Sequence, residues 1–262
     1  MFFRLNTAVL VVVLVLIVGG SAAIGTVIGR QLRTRLSAHR ESFGVVQATL
    51  LGLIGLLLAF GLTMAVGRYD HRRALVVQEA NVIGTTFLRA QMLAEPGRTS
   101  SLDLLRQYID IAVDLANQVP DSTRFNTDAA QMEEVQRQLW SVAGDAVRVD
   151  PQGTAPRLYI ETLNAMIDSH TERVASLRNR VPGTVLILQV SVSAIAIGVL
   201  ALYLALLGRG LITSLVAATV VTLILFISFD LDRPHRGLIT VSDSSLVATR
   251  GAMDLPPAAT GP

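Results

Sequence analysis

Four apolar runs, each long enough to cross a bilayer and almost free of charge, constrain this chain more than any other feature. They are Thr7 to Ile28, Gly44 to Val66, Pro182 to Leu207 and Leu211 to Phe229. At about 1.5 Å per helical residue, each reaches across a hydrocarbon core of roughly 30 Å. A segment that spans lipid must satisfy its own backbone N–H and C=O groups, so runs of this length are read as helices. Hydrophobic residues make up 51% of the chain and charged residues 16%, against roughly 25% charged in soluble domains. The apolar surplus sits in the four runs. Between the second and third, the composition becomes that of a soluble helical protein.

The first run has features of a secretory signal: Arg4 lies in a short charged start, and Gly19-Gly20-Ser21-Ala22-Ala23 has the small residues of a cleavage site. The apolar stretch nevertheless continues to Arg30, and that length favours an uncleaved span. Pro182 suits the first turn of the third span, and Gly208-Arg209-Gly210 provides a tight turn into the fourth. Asp230 and Asp232 end that span. An Asp at a helix centre costs about 2.5 to 3.5 kcal/mol, so both belong at the interface or against a protein partner.

The expected organisation is therefore a first transmembrane hairpin over residues 1–67, a helical domain over 68–180, a second hairpin over 181–230, and a C-terminal segment over 231–262 that ends in a disordered tail. Arg counted near the span ends sets the orientation. Arg4, Arg68, Arg72, Arg73, Arg173, Arg178, Arg180, Arg233 and Arg236 outnumber Arg30, Arg33, Arg35, Arg40 and Arg209 on the other side. This predicts a multi-pass protein of the cytoplasmic (inner) membrane, with both termini and the central domain in the cytoplasm.

Within the central domain, Val76, Ala80, Ile83, Phe87 and Ala90 recur at the three-four spacing of one apolar stripe. The second span is accordingly expected to continue past the bilayer as one long helix, as far as Glu95-Pro96-Gly97. A second helix, capped near Ser100, buries Leu105, Ile109, Ala112, Leu115 and Val119. A third presents Met132, Val135, Leu139, Val142 and Ala146, and a fourth Leu163, Ile167, His170, Val174 and Leu177. Four amphipathic helices with short polar connections make a bundle, so the fold class is all-α, with a four-helix bundle inserted between two membrane hairpins. A short helix capped by Ser242 is expected after the fourth span.

The chain has no Cys, which excludes disulfides and thiolate metal sites. Its 22 basic residues are all Arg, a usage typical of GC-rich bacterial genomes; most of them flank spans, so the lipid bilayer and not nucleic acid is the expected partner. His39, His71, His170 and His235 have no metal-ligand spacing. No nucleophile, base and orienting group assemble at recognisable spacing, so neither an enzyme nor a cofactor is expected.

Three stretches resemble a known family, the bacterial bestrophin-like membrane proteins. They are Arg68-Tyr69-Asp70-His71-Arg72-Arg73 followed by Glu79-Ala80 and Ile83 to Arg89; Asn164 to His170 with Arg173 and Arg178; and Leu231-Asp232-Arg233-Pro234 with Arg236-Gly237. Glu79, Arg89, Asp168, His170, Asp232, Pro234 and Gly237 are its motif positions. The name implies a distant relation to bestrophins, which are pentameric anion channels with four spans per subunit and a pore lined by the second. The acidic run of the calcium clasp in animal bestrophins is missing here.

On this resemblance the chain is expected to form a homo-oligomer that passes anions through a pore lined by its second span. Leu57 and Phe60 are candidates for a constriction, and Arg68, Arg72 and Arg73 for a positive mouth. The alternative is a non-conducting scaffold or sensor whose bundle binds a partner. Glu79 and Arg173 stand at similar heights on facing helices, which makes an ion pair available as a latch fixing helix register. His170 is expected as a hydrogen-bonded core residue, and Asp168 with Glu172 as a solvated face. Ala48, Gly52, Gly55, Ala59 and Thr63 form a small-residue stripe, expected to pack within one subunit. Gln47 and Gln189, the amides inside spans, are each expected to hydrogen-bond a neighbouring helix.

Overall fold

The computed structural model describes residues 6–33, 40–120, 122–208, 211–233 and 237–255. Among them there is helix and no strand: α1 Thr7–Gln31, α2 Arg40–Ala90, α3 Gly97–Ala116, α4 Thr123–Val149, α5 Thr154–Arg178, α6 Gly183–Leu206, α7 Leu211–Leu231 and α8 Ser244–Ala252. Four helical stretches are long and apolar enough to cross a membrane. The second run and the apolar stripe that follows it belong to a single helix, α2, of 51 residues. The chain divides into two compact units: residues 1–69 with 180–240, and residues 70–179 with 241–262.

In the first unit α1 packs against α6 and α7, and α6 against α7. Main chain approaches main chain. A methyl group on Gly25 would run into the carbonyl of Gly198, one on Gly29 would meet Leu202 and Ala205, and the Ser21 hydroxyl donates to the Ala194 carbonyl. In lipid no hydrophobic force separates helix from solvent, so small residues that permit this contact do the work of association. Leu10, Leu14, Val18, Ile54, Leu58, Ile197 and Leu225 fill the space between the helices. Gly208, at φ +73°, closes α6 in the left-handed conformation that glycine adopts without strain.

The stripe expected to pack within the subunit is placed elsewhere. Ala48, Gly52, Gly55, Ala59 and Thr63 are all exposed, and nothing lies within 4 Å of where a Cβ of Gly52 or Gly55 would stand. The face of α2 that is buried carries Ile54, Leu58, Gly61 and Ala65.

The second unit is packed by large side chains. Tyr108, Tyr159, Leu105, Ile109, Leu139 and Leu163 are fully buried around Ile83, Phe87 and Met132. α3 does not begin at Ser100: it starts at Gly97 without a side-chain cap from the residue before it. The Glu95 carboxylate instead accepts from the Thr99 amide at 3.2 Å and its hydroxyl at 3.0 Å, and neutralises the positive helix end. α8 completes this unit. Leu246 and Met253 are buried, Thr249 Oγ1 donates to the Ala80 carbonyl at 3.4 Å, and Arg250 Nε bonds Asp110 at 2.6 Å. Ser242 Oγ accepts from the Ser244 amide at its start, at 3.2 Å.

Candidate functional site

Three groups of residues concentrate the chemistry: a buried charge cluster in the second unit, the exit of α7 in the first, and the outward face of α2.

Glu79 of α2 has no exposed surface, and Arg173 of α5 is 3% exposed. The Arg173 Nε lies against Glu79 Oε2, and His170 Nδ1 stands 2.8 Å from Glu79 Oε1. A carboxylate only accepts, so Nδ1 carries the proton of this bond. Burial by itself raises the Glu79 pKa, but Arg173 and then His170 outweigh it and hold the carboxyl below its ordinary value. Tyr108 of α3 meets the His170 ring edge to face, with centroids 6.0 Å apart. Burial, reinforced by the Glu79 charge, raises the Tyr108 pKa, so its hydroxyl stays protonated beside Gln136. The Tyr159 hydroxyl, buried near Ser101, is pushed up to about 12. The cluster joins α2, α3 and α5. Its arginine and histidine are committed to the carboxylate, which is the arrangement of a structural lock and not of a nucleophile awaiting a substrate.

Two further arginines tie α2 to α5. Arg72 is 3% exposed and donates to the carbonyls of Asn179 at 2.8 Å and Ser176 at 3.4 Å. It thereby satisfies acceptors that the end of α5 leaves over, and places a cation at the negative end of that helix. This corrects the grouping of Arg72 with Arg68 and Arg73 as a mouth: Arg73 is exposed and Arg68 half-buried, but Arg72 is occupied inside the unit. Arg89 Nη1 donates to the Leu158 carbonyl at 2.8 Å. Asp168 is exposed and accepts from Asn164 Nδ2 at 3.5 Å.

At the end of α7 the Asp230 carboxylate, 1% exposed, accepts from the amides of Leu238 at 2.8 Å and Ile239 at 2.9 Å. A Cβ on Gly237 would lie 2.8 Å from that carboxylate, so any larger residue there would have to displace it. Asp232 accepts from the Val181 amide at 2.9 Å, just before α6. Pro234 lies outside the described residues. On α2, Phe60 is 60% exposed and Leu57 half-buried.

A family model for the Bestrophin-like domain matches residues 11–246. The chain belongs to the bestrophin-like family. No curated protein and no solved structure matches it. In this bestrophin-like chain the match takes in most of the first apolar stretch, the other three, the buried cluster and the exit of α7.

Sequence reasoning missed Tyr108, Tyr159, Asp230 as a main-chain acceptor, and the contact of Gly25 with Gly198. The spacing of Ser21, Gly25 and Gly29, four residues apart, was a readable signal for the last. The tyrosines lie on the buried stripes but have no spacing that separates a polar core residue from an apolar one.

Proposed function

We propose that this bestrophin-like protein is the subunit of a homo-oligomeric anion channel of the inner membrane. In this reading it has two membrane hairpins, an uncleaved first span, cytoplasmic termini and a cytoplasmic bundle, and α2 lines the pore. The observation that supports it is the outward face of α2. While α1, α6 and α7 turn their small residues to one another, Ala48, Gly52, Gly55, Ala59 and Thr63 are left exposed. A small-residue face lets helices of neighbouring subunits approach closely. Phe60, with Leu53 and Leu56 at 48% and 55% exposure, then supplies the bulk of a hydrophobic constriction. Arg73 and Arg68 bring positive charge to the end of that span and raise the local anion concentration.

The test is chloride flux from liposomes holding the full chain, with its oligomeric state read by native mass spectrometry. Flux lowered by Arg73→Gln and raised by Phe60→Ala supports the channel. A monomer, or an oligomer that passes no ions under voltage, altered pH or added calcium, rejects it. A second reading, a scaffold or sensor that binds a partner, draws on a cavity of about 310 Å³ where helix ends of the second unit meet, lined by Leu93, Val142, Ala146 and Pro156. Met92 and Val149 beside it are 64% and 66% exposed.

A further inference from the structure

Gln189 stands about two turns into α6, in a stretch that is mostly apolar, and is 5% exposed. An amide in hydrocarbon must find a partner. Its Nε2 donates to the main-chain carbonyl of Leu57 in α2, at 3.3 Å. That carbonyl already accepts the helical bond from the amide four residues on, that of Gly61. In most helices the side chain of that residue would shield the oxygen. Here the residue is glycine, and a Cβ placed on it would occupy the position of the Gln189 amide nitrogen. The amide and the missing side chain fit as a key in a notch, and both belong to the first unit.

The position of this contact gives it consequence. Successive residues of an α-helix are turned by about 100°, so turning Gly61 toward α6 turns Phe60 away from it. Phe60 is exposed, and Leu57 supplies the very carbonyl that is held. A helix packed only by aliphatic side chains can slide or rotate over several near-equivalent settings. One directional hydrogen bond through a glycine notch selects among them.

We propose that Gln189, keyed into the notch at Gly61, is a positioning residue that sets the rotation of α2 and hence the direction in which Phe60 points. For its effect on ion flow the proposal rests on the channel reading above; for the geometry it does not. Because the chain contains no Cys, spin labels can be placed on the full protein in nanodiscs through Phe60→Cys on α2 and Leu188→Cys on α6, diluted with unlabelled chain. The distance between them should be a single narrow distribution. Gln189→Leu removes the donor and keeps the bulk, whereas Gly61→Ala fills the notch and keeps every polar group; each should shift or broaden that distribution. In unlabelled chain with Phe60 intact, the same changes should alter chloride flux from liposomes by roughly threefold or more, the equilibrium weight of one intramembrane hydrogen bond.

An unchanged distance distribution in both variants overturns the proposal. If Gln189→Leu does not fold, Gly61→Ala decides alone. Distances that move while the wild-type liposomes pass no chloride uphold the key and reject the channel, so the two readings fail separately.

Discussion

The two units of this chain are both helical, yet they are held together in opposite ways. In the first, helices meet where side chains are absent: Gly25 against Gly198, Gly61 against Gln189. In the second, they meet where side chains are largest, around Tyr108, Tyr159, Leu139 and a buried carboxylate with its arginine and histidine partners. The difference follows from the solvent. Water pushes apolar bulk into the core of the second unit, whereas lipid has no preference between a leucine in a helix interface and one facing its tails. Bulk is therefore informative about contact in one unit, and its absence is informative in the other.

The sharpest test removes the charge at the centre of the second unit. Glu79→Ala leaves Arg173 buried without its carboxylate and should destabilise that unit by about 3 to 5 kcal/mol, read by the fluorescence of the chain's one tryptophan, Trp140, during thermal unfolding. Glu79→Ala combined with Arg173→Ala should lose less than the sum of the single changes. Additive losses would break the view of the cluster as a coupled core.

A matched pair addresses bulk directly. Leu139 in the second unit and Leu14 in the first are both fully buried. Leu139→Ala should cost about 2 to 5 kcal/mol, and Leu14→Ala, which forfeits packing but no transfer from water, distinctly less. Equal losses, measured as unit-specific protease resistance in nanodiscs, would dissolve the contrast. The glycines should behave in the reverse sense. Gly198→Ala overpacks the contact with Ser21 and should cost about 1 to 3 kcal/mol, while Gly144→Ala on α4, where nothing stands within 4 Å, should stabilise by about 0.5 to 1 kcal/mol.

Acid should act on the second unit through Glu79. Its pKa is lowered on folding, so its contribution is present above the unfolded carboxyl value and is lost as pH falls through the folded one. Between pH 7 and pH 3 the Trp140 signal of the wild type should therefore report a larger loss of stability than that of Glu79→Gln. Parallel pH curves would remove Glu79 from the account. The smallest expected effect is at the start of α3: Glu95→Gln should lower the unfolding midpoint slightly in the same measurement, and Ser100→Ala should leave it in place.

The same contrast explains how much could be read in advance. Helix type and apolar stripes were legible because burial against water leaves a period in the sequence: Leu105, Ile109 and Ala112, or Met132, Val135 and Leu139, mark their own faces. The four apolar stretches were legible because lipid requires length. What periodicity lacks is the name of a partner. Gly25 and Gly198 are far apart in the chain, and the stripe of Gly52 and Gly55 on α2 looks no different from one that packs inside the subunit. Among the site residues, equal height on two helices could bring Glu79 and Arg173 near each other, but the second bond from His170 and the ring of Tyr108 depend on rotamers that spacing does not specify. Arg72 was misread for the same reason: a flanking arginine in a sequence has no direction, and this one points into the end of α5.

The docking of α8 has a consequence in time. Leu246, Thr249 and Arg250 complete a unit whose other helices were synthesised before α6 and α7. At about 5 to 20 residues per second, the ribosome takes seconds to travel from the end of α5 to α8, and in that interval it must deliver the last two apolar helices. The groove that receives Leu246 stays empty throughout. Completion of the second unit therefore waits on the delivery of α6 and α7, and a chain whose α6 or α7 stalls is one whose bundle is left open.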